Sequence, residues 1–236
     1  MVRHPVLDEF LFPPFEGFPK ETIPFLRALK KNNNRPWFEK HRETYEEKVR
    51  FPMQCLIAGL AVRMRDVAPA IEFNPKRSIF RVYRDVRFSK NKSPYKTSIA
   101  ASFQIGGRKG PAEAAGLYVG VEPGEVFIGG GVYMPWGEQL KNIRRSIASH
   151  PEEFLEVIDN PKFKKRFRGL MGEKLVKAPL GYPKDHPMIE HLRHKQFFVG
   201  VELEEKACQS RRFEETVAKV FTDAAPLVNW LARVRG

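Results

Sequence analysis

The sequence is short of cysteine, of acid relative to base, and of any long apolar run. Two cysteines, Cys55 and Cys208, in 236 residues build neither a disulfide framework nor a zinc site. The core must then close by packing alone, and a chain of this length, burying roughly 70–75% of its unfolded surface, can do so. No stretch approaches the ~20 apolar residues of a membrane span. Residues 1–18 carry Asp8, Glu9 and Glu16 and lack the basic-then-apolar layout of an export signal. A soluble, cytoplasmic protein is expected. A Gly-x-Ser-x-Gly nucleophile elbow is absent. Gly129-Gly130-Gly131 is not followed by the Gly-Lys-Ser/Thr of a phosphate-binding loop. With 42% hydrophobic and 29% charged residues, the composition excludes a disordered tail, a collagen and a coiled-coil rod.

What is present is positive charge, and it is concentrated. Lys and Arg total 41 against 28 Asp and Glu, a net +13. Between Lys76 and Lys96 every acidic residue but Asp85 is missing, while eight basic ones occur. Between Lys162 and Lys177 seven basic residues stand against Glu173 alone. These two stretches account for the whole excess. Concentrated charge of one sign raises the local potential and attracts phosphates, nucleic acid or acidic surfaces. A solvated helix face explains the second stretch equally well.

Hydrophobic spacing organises the chain. Phe10 to Pro19, rich in proline and aromatics, reads as an extended arm pinned by its rings. Ile23, Leu26 and Leu29 have helical spacing, and Asn32-Asn33-Asn34 stops that helix. Pro36 suits a first helical turn, and Trp37, His41 and Tyr45 recur every four residues. Met53, Leu56, Ile57, Leu60, Ala61 and Met64 line one face of a further helix. Period two then takes over at Ile99, Ala101, Phe103 and Ile105, and again at Leu117, Val119 and Val121. Across Pro123-Gly124 the pattern resumes at Val126, which reads as a hairpin. Gly106 to Gly110 reads as a flexible loop. Helical spacing returns from Leu140 to Ile158, a late strand covers Phe197 to Leu203, and a long helix bent or restarted near Pro226 ends the chain. The expectation is an α+β fold in one domain: a helical N-terminal part, a mainly antiparallel sheet in the middle with one late strand, and a helical C-terminal part.

The segment from Arg81 to Lys96 is the most unusual text. As a strand it puts Arg81, Tyr83, Asp85 and Arg87 on one face and Phe80, Val82, Val86 and Phe88 on the other. Helical spacing of Ile79, Val82, Tyr83 and Val86 also fits, but Asn91, Ser93 and Pro94 are turn formers, which favours a strand to about Arg84 and then a loop. Interleaved apolar residues draw the guanidinium groups toward the interior, where an unpaired one costs about 3–5 kcal/mol. Asp85 can satisfy one of them. The surplus points to a bound anion held by Arg81, Arg84 and Arg87, oriented by Asp85. Lys90, Lys92 and Lys96 form the rim, and Tyr83 or Tyr95 stacks or donates a hydroxyl. The competing account pairs each arginine with a carboxylate such as Glu39, Glu122 or Glu125, or has it reach backbone carbonyls.

The runs RDVRFSKNKSPYK at 84–96, WFEKHR at 37–42, FIGGGVYMP at 127–135 and LGYPKDHP at 180–187 resemble the family called domain of unknown function 2461. The resemblance spans roughly Phe15 to Leu231. It implies a single domain and a family-wide site at Arg84, Asp85, Arg87, Phe88, Ser89, Lys90, Lys92, Pro94, Tyr95 and Lys96. It implies no activity, and the cofactor is left unknown.

Other residues admit two readings each. Gly129, Gly130 and Gly131 allow a ligand to approach the backbone, or keep a strand thin under another element. His186 can serve as an acid, base or anion contact, or cap a turn before Pro187. Asp185, His186, His191 and His194 lie close in sequence, but metal ligation needs further donors aimed at one point, so no metal site is expected. A metal hydrolase built on Asp185 and His186 is the weaker alternative. His41 is expected half-buried and satisfied, Cys55 structural, and Glu39 and Arg42 within reach of the basic strand. Two functions follow: a site for a phosphate-bearing small molecule or nucleic acid, or a non-catalytic module docking an acidic partner. Substrate, reaction and oligomeric state are not specified by the sequence.

Overall fold

A computed structural model describes residues 12–87, 89–105 and 114–234. Helices lie at both ends of the chain around a four-stranded antiparallel sheet. The first helix, α1 (Thr22–Lys31), ends at Asn32. Each asparagine of the triplet has its own task. Asn32 Nδ2 donates to the Ala28 carbonyl, Asn34 Oδ1 accepts from Trp37 N and caps α2 (Arg35–Lys40), and Asn33 turns toward Tyr95. Helix α3 (Arg42–Tyr45) passes through a π-helical turn, Glu46–Arg50, into α4 (Phe51–Arg63). Pro52 explains the widened turn, because it supplies no N–H to the carbonyl four residues back and its ring crowds it.

Strands β1 (Ile99–Gln104), β2 (Gly116–Glu122), β3 (Glu125–Val132) and β4 (Phe197–Leu203) lie in the order β1-β2-β3-β4, every neighbour antiparallel. The expected hairpin joins β2 to β3 with Glu122 opposite Glu125, and Gly124 takes the positive φ of 101° that its turn requires. Between β3 and β4 the chain forms α5 (Gly137–Ser149), α6 (Pro151–Ile158), α7 (Pro161–Phe167) and the short α8 (Ile189–Leu192). It ends in α9 (Phe213–Arg233).

Period two gives the sheet two unlike faces. Leu117, Val119, Val121, Ile128 and Val199 are buried on the inner face, over which α9 packs with Val220, Ala224, Leu227, Val228 and Leu231. The outer face carries Tyr118, Phe127 and Phe198, all half-buried, among Gly120, Gly129 and Gly200. One point departs from the sequence reading. Helix α9 does not restart at Pro226 but is one continuous helix through it, with Pro226 itself exposed while Ala225, Leu227 and Val228 are buried on either side of it. The proline-rich stretch behaves as expected from residue 12 on: Phe15 and Phe18 are buried against each other and Phe213. Phe10 lies outside the described residues, as do Gly106 to Gly110. Both cysteines are buried and free. Among the described residues no helix is long and apolar enough to cross a membrane.

Candidate functional site

The basic segment leaves β1 as an edge arm. Phe80 N donates to Ala100 O and Ser102 N to Ser78 O, at 2.9 and 3.0 Å. Farther out, the segment pairs with its own return: Arg84 N donates to Pro94 O at 2.9 Å and Lys96 N to Val82 O at 2.7 Å. The bridges fall at Ile79 with Ala101 and Tyr83 with Tyr95. The returning side therefore carries two extra residues between them, a bulge at Lys96 to Ser98 that turns the arm away from the sheet.

Exposure alternates along the arm. Arg81, Tyr83, Asp85 and Arg87 are exposed, whereas Val82, Arg84 and Val86 are half-buried. The extended reading is therefore right, but of the three guanidinium groups only that of Arg84 is drawn inward, on the side of Val82 and Val86, while Arg81 and Arg87 stay exposed. Arg81 and Arg87 share a side with Asp85, and Arg84 takes the other, so alternation separates the three arginines offered as one cluster. Arg87 grips Asp85 with Nε and a terminal nitrogen at 3.1 and 2.7 Å, while its backbone N–H donates to the same carboxylate at 3.2 Å. Those side-chain hydrogen bonds, then the backbone one, hold the Asp85 carboxyl down to about 2 despite slight desolvation; Coulomb attraction from Arg87 and Arg81 adds to it. Lys92 Nζ donates to Val86 O at 2.9 Å and closes the loop. Lys90 and Lys92 are exposed and Lys96 is half-buried. Phe88 lies outside the described residues.

Tyr95 is placed differently from its expected role as a ligand contact. It is 2% exposed and stacks on Phe38 at 4.1 Å, so its ring anchors the arm to α2. Burial chiefly raises the pKa of its phenol. Tyr83 faces solvent, and its hydroxyl accepts from Arg42 at 3.3 Å. Arg42 is also bidentate to Glu39, at 2.9 and 2.7 Å, with its guanidinium 5.3 Å from the Phe38 ring centroid. Arg42 thus reaches the arm as expected, and the Arg42 hydrogen bond is the main reason the Glu39 carboxyl is held below its ordinary range. Glu39 is then committed to α3. Glu122 and Glu125 stand on the outer sheet face beside Glu202, where burial, then those two neighbouring carboxylates, push the Glu125 carboxyl up. None of the three carboxylates offered as internal partners has a described ion pair with Arg81 or Arg84. Among the described residues no hydrogen bond or ion pair engages either guanidinium.

The remaining candidates are placed as follows. Gly130 lies on the inner face under α9, where a Cβ would come within 2.8 Å of Leu117, 3.0 Å of Val228 and 3.2 Å of Ala224. Gly129 and Gly131 face outward beside the β4 backbone and Phe198. His186 Nδ1 accepts from Met188 N at 3.0 Å, capping its own turn. His191 meets Phe154 edge-on at 5.3 Å, and His194 is buried beside Phe197, its pKa lowered to about 4 mainly by that burial. Among the described residues no group of three or more His, Cys, Asp or Glu is placed to hold a metal ion. His41 is half-buried, stacked on Trp37 at 4.1 Å, with Nδ1 2.7 Å from Trp37 O. In the second basic stretch Lys164 pairs with Asp159, Arg166 with Asp223 and Lys174 with Glu190, at 2.9, 2.7 and 3.1 Å. Three of the seven basic residues of that stretch are thus paired.

Helices flanking an antiparallel four-stranded sheet, with a basic edge arm clamped to the N-terminal helices, define an α+β protein whose distinctive sequence lies in that arm. The chain matches the family model described as conserved hypothetical protein, domain of unknown function 2461, over residues 21–230, and it belongs to that family. No curated protein matches it.

Proposed function

We propose that the arm from Arg81 to Lys96 binds a phosphate-bearing anion. The observation that carries this reading is Arg84: half-buried, in a stretch rich in cations, and without a hydrogen-bonding or ionic partner among the described residues. A phosphate would give that guanidinium the bidentate acceptor it lacks. Arg81 and Lys90, exposed on the same arm, would add longer-range attraction, and Asp85 keeps Arg87 in a fixed orientation. Tyr95 contributes by position, through its stacking on Phe38. The reading assigns no reaction.

Titration calorimetry with inorganic phosphate tests it. The native protein should bind, and Arg84→Leu should weaken binding by about tenfold or more, the loss of one charge-assisted pair of ~1.5–3 kcal/mol, with its unfolding midpoint retained. Equal phosphate affinity in native and Arg84→Leu protein would refute the reading. Loss of folding in Arg84→Leu would instead make the arginine architectural, as expected of a module that docks an acidic partner.

A further inference from the structure

The arm does not end in open water. Between it and the outer sheet face lies a hollow of about 290 Å³ lined by Phe80, Lys96, Ser98, Ala100 and Tyr118. Phe80 is 36% exposed and its ring centroid is 6.2 Å from that of Tyr118, the planes tilted by 47°. Lys96 Nζ stands 4.9 Å from the Phe80 centroid. The bulge at Lys96 to Ser98 creates this space, because a regular ladder would bring the returning chain flat against Phe80. The rings continue inward from Tyr118 to Phe127 at 6.1 Å and from Phe127 to Phe198 at 6.3 Å. Gly120 lies beneath Tyr118 and Gly200 beneath Phe127, and neither leaves room for a Cβ without displacing the ring. Glycines here hold aromatic surfaces flat and available on a sheet.

We infer that this hollow receives a planar aromatic base, so that the ligand of the arm is a nucleotide unit with its base against Phe80 and Tyr118 and its phosphate on the arm cations. The inference rests on the phosphate-binding reading above and names its ligand class. Two features support it together. Two of the five lining residues, Phe80 and Tyr118, are aromatic and offer stacking surface to a nucleobase. Of the lining residues Lys96 ends the arm and Phe80 directly precedes it, so base and phosphate subsites are contiguous along one stretch of chain. Tyr118 keeps its phenolic proton at neutral pH, since burial, with Glu122 and Glu125 nearby, lifts it to about 12; it can therefore donate to a base edge.

The experiment compares inorganic phosphate, adenosine monophosphate and a short single-stranded oligonucleotide by calorimetry on the native protein, Phe80→Leu and Phe80→Trp, each checked by circular dichroism. Adenosine monophosphate should bind about tenfold tighter than phosphate, the increment expected of one stacked base. Phe80→Leu should abolish that increment while phosphate affinity stays unchanged, and Phe80→Trp should keep it. Tighter binding of the oligonucleotide, falling with salt at a log–log slope of about −0.7 per neutralised phosphate, would identify a polymer as the source; equal binding would identify a free nucleotide. Phosphate binding with no gain from the base would overturn this inference and leave the arm's anion site standing. Absence of binding by phosphate and nucleotide alike would overturn both.

Discussion

The side-chain amide of Asn33 holds Tyr95 by both of its backbone groups: Nδ2 donates to Tyr95 O at 2.9 Å, and Tyr95 N donates to Asn33 Oδ1 at 3.0 Å. The amide behaves as one residue of a neighbouring strand and ties the root of the basic arm to the end of α1. Together with the Phe38 ring stacked on Tyr95, it sets where the arm begins.

Asn33→Ala should therefore cost about 2 kcal/mol in urea unfolding, since two partly buried backbone groups lose their partner. Asn33→Asp should cost at least as much, because it keeps the acceptor for Tyr95 N but sets a carboxylate oxygen, with no hydrogen to give, against Tyr95 O. The arm should loosen in both, seen as faster amide exchange at Arg84 and Lys96. Unchanged unfolding midpoints in Asn33→Ala would show the clamp to be incidental.

A second clamp lies on the N-terminal helices. The fully buried hydroxyl of Thr22 donates to Lys48 O at 2.5 Å, the carbonyl that an N–H at position 52 would ordinarily serve and that Pro52 cannot. Thr22→Val should destabilise the protein by about 1–2 kcal/mol, and Thr22→Ser should not. In a Pro52→Ala background an N–H becomes available, so the cost of Thr22→Val should shrink. Additive effects in that double-mutant cycle would exclude the coupling.

These clamps also show where sequence reading stops. The strands and helices were legible because Ile99, Ala101 and Phe103 recur every second residue and Leu56, Ile57 and Leu60 fall on one helical face, and burial enforces such periods. The antiparallel hairpin was legible from Pro123-Gly124. Asn33 and Tyr95, 62 residues apart, share no local pattern, so the triplet read only as a helix stop. The exposure of Arg81 and Arg87 was hidden for a related reason. Period two tells which residues share a face but not which face meets the body, and that is decided by the arm's place at a sheet edge. The hollow beside Phe80 depends on a bulge of two residues, for which Lys96-Thr97-Ser98 gives no local signal.

The Asp85–Arg87 pair predicts a pH dependence for the arm. Arg87 holds the Asp85 carboxyl down to about 2, against an ordinary value of 3.8. A lowered folded value means the contact favours the ordered loop above the ordinary value and is lost as pH falls through about 2. The Asp85 carboxyl resonance should thus titrate with a midpoint near 2, and Arg87→Ala should move that midpoint up toward 3.8. Saturating phosphate should raise it too if the anion draws Arg87 away. An unmoved midpoint in Arg87→Ala would assign the depression to something other than this pair.

Gly130 separates a packing role from a ligand role within the glycine run. It faces α9 rather than the hollow, opposite Leu117 on one neighbouring strand and Val199 on the other, and a Cβ there meets Leu117, Val228 and Ala224 within 3.2 Å. Gly130→Val must push α9 off the sheet or force those side chains out of their rotamers, an overpacking cost of about 1–3 kcal/mol. Gly130→Ala should cost less, because the Leu117 and Val228 methyls are free to yield by a few tenths of an ångström. Phosphate affinity should be unchanged in whatever fraction of either variant remains folded. A variant of full stability that no longer binds phosphate would place the glycine run in the binding site and remove its packing explanation.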